Sequence, residues 1–315
     1  MPKNETVLSD ARLPVLVVNV ARIHDVRRLR SVCEHAAAAT GWRPPLVLST
    51  TPGDAGSAQA RRALEVGADL VIACGGDGTV RACADALAGT AVPLAIVAGG
   101  SANLTAAALG LPARAEAALR VAFEGRERQI DLGIADGMTF AAMAGIGLDA
   151  AVVAATSAVL KRVAGWAAYG AAGASQVVSP RTDFAIRLDG GDRLVRRAHS
   201  VTVGNSGALP GGFRIMPAAR LDDGLLDVVI LAPAGPFGWV DVGYRVLARS
   251  RRDNARLERY QARTVEISAE TELPRQVDGE LIPSARALTV AVRPGVLKVR
   301  VPVQPGAPRT GIPVS

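Results

Sequence analysis

Over the first 133 residues, short apolar runs alternate with longer stretches in which apolar positions recur every three or four residues. Val15-Leu-Val-Val-Asn19 predicts a buried strand, and Ile23 to Ala39 an Arg-rich helix with Val26, Leu29, Val32 and Cys33 on one face. The alternation repeats: strand Leu46 to Leu48, helix Ala58 to Val66, strand Leu70 to Cys74, helix Val80 to Leu87, strand Leu94 to Val97, helix Leu104 to Leu109 and helix Ala113 to Glu124. Strands separated by helices make right-handed βαβ units, and so a parallel sheet covered on both faces. Ligands of such sheets bind at the carboxyl ends of the strands.

After residue 133 the rhythm changes. Arg128 to Ala135 and Thr139 to Ala144 read as a hairpin turning at Asp136-Gly137, a strong two-residue turn signal. Ala150 to Val178 reads as a buried or half-buried helical region, and Phe237 to Ser250 as a second long helix. Between and beyond them lie short strands at Phe184–Leu188, Leu194–Val203, Leu226–Leu231, Val265–Ser268, Leu288–Val292 and Leu297–Val301. Short strands with Gly, Asp and Pro turns predict an antiparallel sandwich. The expected fold is therefore α/β plus all-β: a parallel-sheet α/β domain over 1–133, an antiparallel β-sandwich domain over 134–302 and a loose Pro-rich tail over 303–315.

Composition narrows the setting. The start is polar and the first apolar run is short and holds Asn19, which argues against a secretory leader and for a cytoplasmic protein. Lys161 and Arg162 interrupt the longest low-charge stretch, against a membrane span. Three cysteines without metal-ligand spacing, Cys33, Cys74 and Cys83, read as core fillers. The net charge of +7 lies almost wholly after residue 133, and seven arginines cluster between Arg245 and Arg263. Such a cluster is either a solvated helix face or a surface for anionic lipid; no nucleic-acid partner is expected.

Two strand ends carry the chemistry. Gly75-Gly-Asp-Gly-Thr-Val-Arg81 follows the third strand and opens a helix, and Ala98-Gly-Gly-Ser-Ala-Asn103 does the same after the fourth. Glycines let backbone approach a ligand, and the free N–H groups at a helix start favour an anion. Two adjacent junctions of this kind can hold one polyphosphate; the alternative is that the glycines only make tight turns. Asn19, ending the first strand, either joins the same rim or is an ordinary polar strand terminus. The first loop lacks the Gly-Lys-Ser/Thr of a Walker A motif and the Gly-x-Gly-x-x-Gly of a dinucleotide fingerprint. Asp77 would repel phosphate unless a cation intervenes or a proton is handled, so it points to Mg²⁺ or catalysis; an Asx-turn is the other reading.

Two further acidic segments lie far along the chain. In Gln276-Val-Asp278-Gly-Glu280 the carboxylates project to one face of an extended segment, where one can position while the other accepts a proton. Leu221-Asp-Asp-Gly-Leu-Leu-Asp227 offers carboxylate and backbone oxygens to a hard cation. Each also reads as an ordinary turn. The three histidines, His24, His35 and His199, stand beside no nucleophile, against Ser–His–Asp catalysis.

Gly75-Gly-Asp-Gly-Thr79, Gly99-Gly-Ser-Ala-Asn103, Gly145-Ile-Gly-Leu-Asp149, Pro217-Ala followed by Leu221–Asp227, and Val277-Asp-Gly-Glu280 occur in the order of the diacylglycerol kinase catalytic domain family. Over about residues 13–302 the chain resembles the bacterial soluble lipid kinases of that family, which are similar to sphingosine kinases and more distantly to NAD kinases. The resemblance implies that the first domain binds nucleotide and the β-sandwich domain the substrate, with the site in the cleft between them and the final segment returning to the first. It implies an ATP site lined by Thr50, by Gly75, Gly76, Asp77, Gly78, Thr79, Val80 and Arg81, and by Gly100, Ser101 and Asn103. It implies Glu280 as proton acceptor supported by Asp278, a structural Mg²⁺ held by Asp223 with the backbone of Arg220 and Leu225, and a lipid such as diacylglycerol as acceptor. Peripheral membrane contact and a homodimer are compatible with it. An NAD kinase-like activity and a nucleotide-binding regulator with weakened catalysis are the alternatives. Two departures bear on activity: Val20-Ala-Arg22 follows Asn19 where the family has Pro-x-Ser/Ala-Gly, and Leu104 stands where the second loop carries a carboxylate.

Overall fold

The computed structural model describes residues 11–147, 181–207, 215–248 and 252–303. The helical expectation over Ala150–Val178, the end of the Gly145–Asp149 run and the tail beyond residue 303 lie outside them.

In the first half the alternation of apolar side chains becomes two cores. β1 (Pro14–Val18), β2 (Leu46–Ser49), β3 (Leu70–Gly75) and β4 (Leu94–Ala98) form a parallel sheet in the order β2-β1-β3-β4. Successive strand residues face opposite sides. Val15, Val17, Val71 and Ala73 therefore enter one core with Val80, Cys83 and Leu87 of α3 (Asp77–Leu87), beside α2 (Ser57–Glu65). Leu16, Val18, Leu70 and Ile72 enter the other, with α1 (Val26–Ala39) and α5 (Ala115–Glu124). The short α4 (Leu104–Ala108) follows β4. α3 begins three residues earlier than apolar periodicity alone suggests: Asp77 and Gly78 are already helical, so the glycine turn is also the first turn of the helix.

The second half is antiparallel. β7 (Met143–Gly147), β10 (Ser200–Gly204), β11 (Leu226–Leu231) and β12 (Leu257–Ala262) run in the order β12-β11-β10-β7 and join β13 (Thr264–Val277). The hairpin of β8 (Thr182–Leu188) and β9 (Leu194–Ala198) is added along the first part of β13. Phe140, Phe184, Ile186, Val201, Val228, Val265 and Val290 fill the core between these layers. α6 (Gly235–Leu247) covers a smaller cluster around Val229 and Leu231.

β14 (Glu280–Val301), 22 residues long, joins the halves. It pairs with β13, then antiparallel with β5 (Arg126–Ala135), and meets β4 in parallel at Val299–Leu94. The expected strands at Leu288–Val292 and Leu297–Val301 are thus one element; Pro294 and Gly295 (φ 58°) produce a register shift rather than an end.

Three expected strand limits change. Thr139–Ala144 is divided: β6 (Met138–Phe140) closes the Asp136-Gly137 hairpin with β5, and β7 starts at Met143 and pairs with β10 and β13. The cause is distant in sequence, since the amides of Ala141, Ala142 and Met143 all donate to the carboxylate of Asp278. Leu194–Val203 is divided at His199, where the chain leaves β8 for β7 and β11. Finally, Leu257–Ala262, within the arginine cluster, is a strand.

Candidate active site

The carboxyl ends of β2, β1, β3 and β4 form one rim, as the parallel order requires. Thr50, buried, donates its N–H to Val18 O at 2.9 Å. Asn19 donates its N–H to Cys74 O and its Nδ2 to Thr79 Oγ1 at 3.1 Å, which ties the end of β1 to the loop after β3. The two glycine loops touch backbone to backbone. Gly99 N–H donates to Gly75 O at 2.7 Å, and a Cβ on Gly100 would stand 2.7 Å from the Cα of Gly76. Asn103, in the left-handed region at φ 49°, closes the second loop by accepting from Gly100 N–H and donating to Gly100 O, both at 2.8 Å. Ser101 is exposed at its tip.

Asp77 faces the second loop, where its Oδ1 accepts from Thr105 N–H at 3.4 Å. Burial pushes its carboxyl up to about 6, the charge of Asp278 adds to this, and the amides of Thr105, Leu104 and Asn103 oppose it. At position 104 it is thus the backbone that meets Asp77, while the leucine side chain is buried.

The Asp278-Gly-Glu280 turn joins β13 to β14 and reaches this rim from the other half of the chain. Asp278 is buried, in the left-handed region at φ 47°, and its carboxylate accepts from Ala141 N–H at 2.9 Å, Ala142 N–H at 2.9 Å and Met143 N–H at 3.0 Å. Burial raises its carboxyl despite these bonds. Gln276 Oε1 accepts from Gly279 N–H at 2.8 Å and fixes the turn. Glu280 is exposed and lies against the first glycine loop: a Cβ on Gly78 would stand 2.5 Å from Glu280 Oε1. Arg81, one turn into α3, pairs with Glu280 Oε2 at 2.5 Å and donates to Val277 O at 3.3 Å. Asp77, Gly78, Arg81, Asp278 and Glu280 are therefore together, whereas the second acidic segment stands on its own.

That second segment is organised by Asp131, which sequence reasoning did not single out. Its buried carboxylate accepts from Gly224 N–H and Gly295 N–H, both at 2.7 Å, and its N–H donates to Leu221 O. Asp223 accepts from Leu225 N–H at 3.1 Å. Asp227 is pushed up to about 6 by burial, with the charge of Asp223 adding to it. Asn205, fully buried, donates to Asp131 O at 2.6 Å. Asp131 and Asn205 carry no motif signal, because their partners are backbone groups from distant segments. Among the described residues no three His, Cys, Asp or Glu side chains cluster as a ready-made metal site.

Known proteins resemble this chain in sequence and fold. Residues 15–135 match the family described as diacylglycerol kinase catalytic domain, and residues 142–301 the one described as YegS C-terminal NAD kinase beta sandwich-like domain. A Pseudomonas fluorescens protein named "Probable lipid kinase YegS-like" is 35% identical over 269 residues, covering 85% of this chain and 88% of its own. A Chromohalobacter salexigens protein of the same name is 32% identical, covering 81% and 80%. The solved structure of a diacylglycerol kinase from Bacillus anthracis str. Sterne superposes with a TM-score of 0.71 at 22% identity, covering 92% of this chain and 96% of that one; it bears on the fold. The chain belongs to the YegS-like lipid kinases of the diacylglycerol kinase catalytic domain family.

Proposed function

We propose that the protein transfers the γ-phosphoryl group of ATP, with Mg²⁺, to the hydroxyl of a lipid such as diacylglycerol, in a cleft between an α/β part over 1–133 and a β-sandwich part over 134–302. The observation that carries this reading is the contact of Glu280 with Gly78: the candidate base lies against the candidate phosphate loop. In the proposal Gly75 to Arg81, Gly100, Ser101, Asn103, Asn19 and Thr50 hold the nucleotide, with helix-start amides facing its phosphates. Glu280 takes the proton of the attacking hydroxyl, and Asp278 keeps the turn in place through three amide bonds. Most of the rate then comes from position and preorganised charge.

The residues fit a divalent cation. Asp77 lies between the two glycine loops within reach of the charge of Asp278, and a cation there would favour its ionised form. One carboxylate with substrate phosphates is a usual way to hold Mg²⁺, which when bound would neutralise phosphate charge. We place a second, structural cation at Asp223 with the backbone of Arg220 and Leu225, where the Asp223 charge bears on the raised Asp227.

Among the described residues no helix is long and apolar enough to cross a membrane. The lipid would be met from the surface, and α6 supplies exposed Phe237 and Tyr244 for that contact. The test is labelled ATP offered with diacylglycerol, with a panel of other lipids and with NAD. Label in a lipid, lost in Glu280→Ala, is the expected result. Label in NAD alone, or nucleotide binding without transfer to any acceptor, overturns the proposal in favour of an NAD kinase-like enzyme or a regulator.

A further inference from the structure

Glu280 is not free. Its Oε2 is engaged by Arg81 at 2.5 Å, and a carboxylate paired with a guanidinium is the weaker base through either oxygen, because the cation favours its ionised form. The pair is lopsided: the Arg81 side chain is 17% exposed and that of Glu280 is 53%. Arg81 is also held from behind by its bond to Val277 O. It lies one turn after Asp77 on the same face of α3, and its charge reaches Asp278 as well. One guanidinium thus serves two carboxylates, Glu280 by contact and Asp278 by charge, one helical turn from Asp77.

We propose that Arg81 is a positioning residue that changes partner during turnover. It holds Glu280 while the nucleotide site is empty and passes to a phosphate oxygen when ATP binds, which releases the carboxylate to accept the hydroxyl proton. The inference rests on the reading of Glu280 as the base. A guanidinium fork fits carboxylate and phosphate oxygens alike, so the exchange replaces one charge-assisted contact by another. The departing partner is half exposed and is taken up by water, so its release costs little. The bond to Val277 O anchors the arginine while its other nitrogen changes hands. The exchange makes the base available only when a phosphate donor is present.

The test is a double-mutant cycle on nucleotide affinity, measured by calorimetry with a non-hydrolysable ATP analogue and Mg²⁺ on the full chain. If Glu280 competes with phosphate for Arg81, Glu280→Gln tightens the analogue about tenfold, and the gain is lost in the Arg81→Gln background. An equal or larger gain in that background overturns the proposal, because simple removal of a negative charge near the phosphates gives that result. Should Arg81→Gln fail to fold, Arg81→Lys carries the same cycle with a reduced difference. Failure of the kinase reading is distinguishable: it leaves the binding cycle intact while wild-type protein labels no lipid.

Discussion

The carboxylate of Glu280 rests on Gly78, so that the space a Cβ would occupy at Gly78 is already taken by Glu280 Oε1. The obstacle is the tip of an exposed side chain, and a tip can move. Gly78→Ala should therefore fold with little change in melting temperature while displacing Glu280 and breaking its pair with Arg81. Gly100→Ala differs, because its Cβ would meet the Cα of Gly76 at 2.7 Å and backbone cannot step aside. We expect loss of nucleotide binding in Gly100→Ala, and in Gly78→Ala loss of transfer with binding retained. Calorimetry and label transfer on the two proteins separate these outcomes.

Asp278 works chiefly on backbone. Asp278→Ala leaves the amides of Ala141, Ala142 and Met143 without their acceptor in a buried place. At about 1 kcal/mol per lost bond the cost is ~3 kcal/mol, read as a lower denaturant midpoint. An Asp278→Ala protein as stable as wild type would remove this account of how β6 and β7 are separated.

Asp77 makes stability depend on pH. Its folded value of about 6 lies above the ordinary 3.8, so folding favours the protonated form. The favourable contribution is complete below about pH 4 and is lost as pH rises through about 6. In chelator, Asp77→Asn should be more stable than wild type by ~2 kcal/mol at pH 8, after a discount for partial exposure, with no difference below pH 4. Paired melts across that range check the sign.

Three of the seven clustered arginines have acidic partners. Arg245 and Arg256 both pair with Asp241 beside Asn254, and Arg259 pairs with Asp253. Arg249 and Arg251 lie outside the described residues. Replacing Phe237 and Tyr244 by Ser should reduce co-sedimentation with anionic liposomes more than replacing Arg245 and Arg256 by Ala, whose main effect should be on melting temperature.

What could be read in the sequence was what local rules control. Fully buried parallel strands such as Val15–Val18 announce themselves by unbroken apolar runs, and the Asp136-Gly137 turn is where its dipeptide says, with both residues at positive φ. The meeting of Asp77 with Asp278 and Glu280 was legible only through resemblance to a family, since no local pattern links segments 200 positions apart. The missed boundaries share one cause. The end of β6 is set by Asp278, and the corner at His199 by its N–H bond to Leu231 O. Arg81 illustrates the same limit within a motif: its place in the glycine loop was plain, its partner was not.

β14 has a consequence for how the molecule comes into being. The first glycine loop lies in the first third of the chain, yet the sheet that carries it gains its neighbour at β4 only when Val299 arrives. Ribosomal synthesis runs from the amino end, so the nascent α/β half must wait with an unpaired edge and a core still lacking Leu297, Val299 and Val301. The site that was made first is finished last, and a chain released short of residue 297 would be expected to aggregate rather than to yield an independent nucleotide-binding fragment.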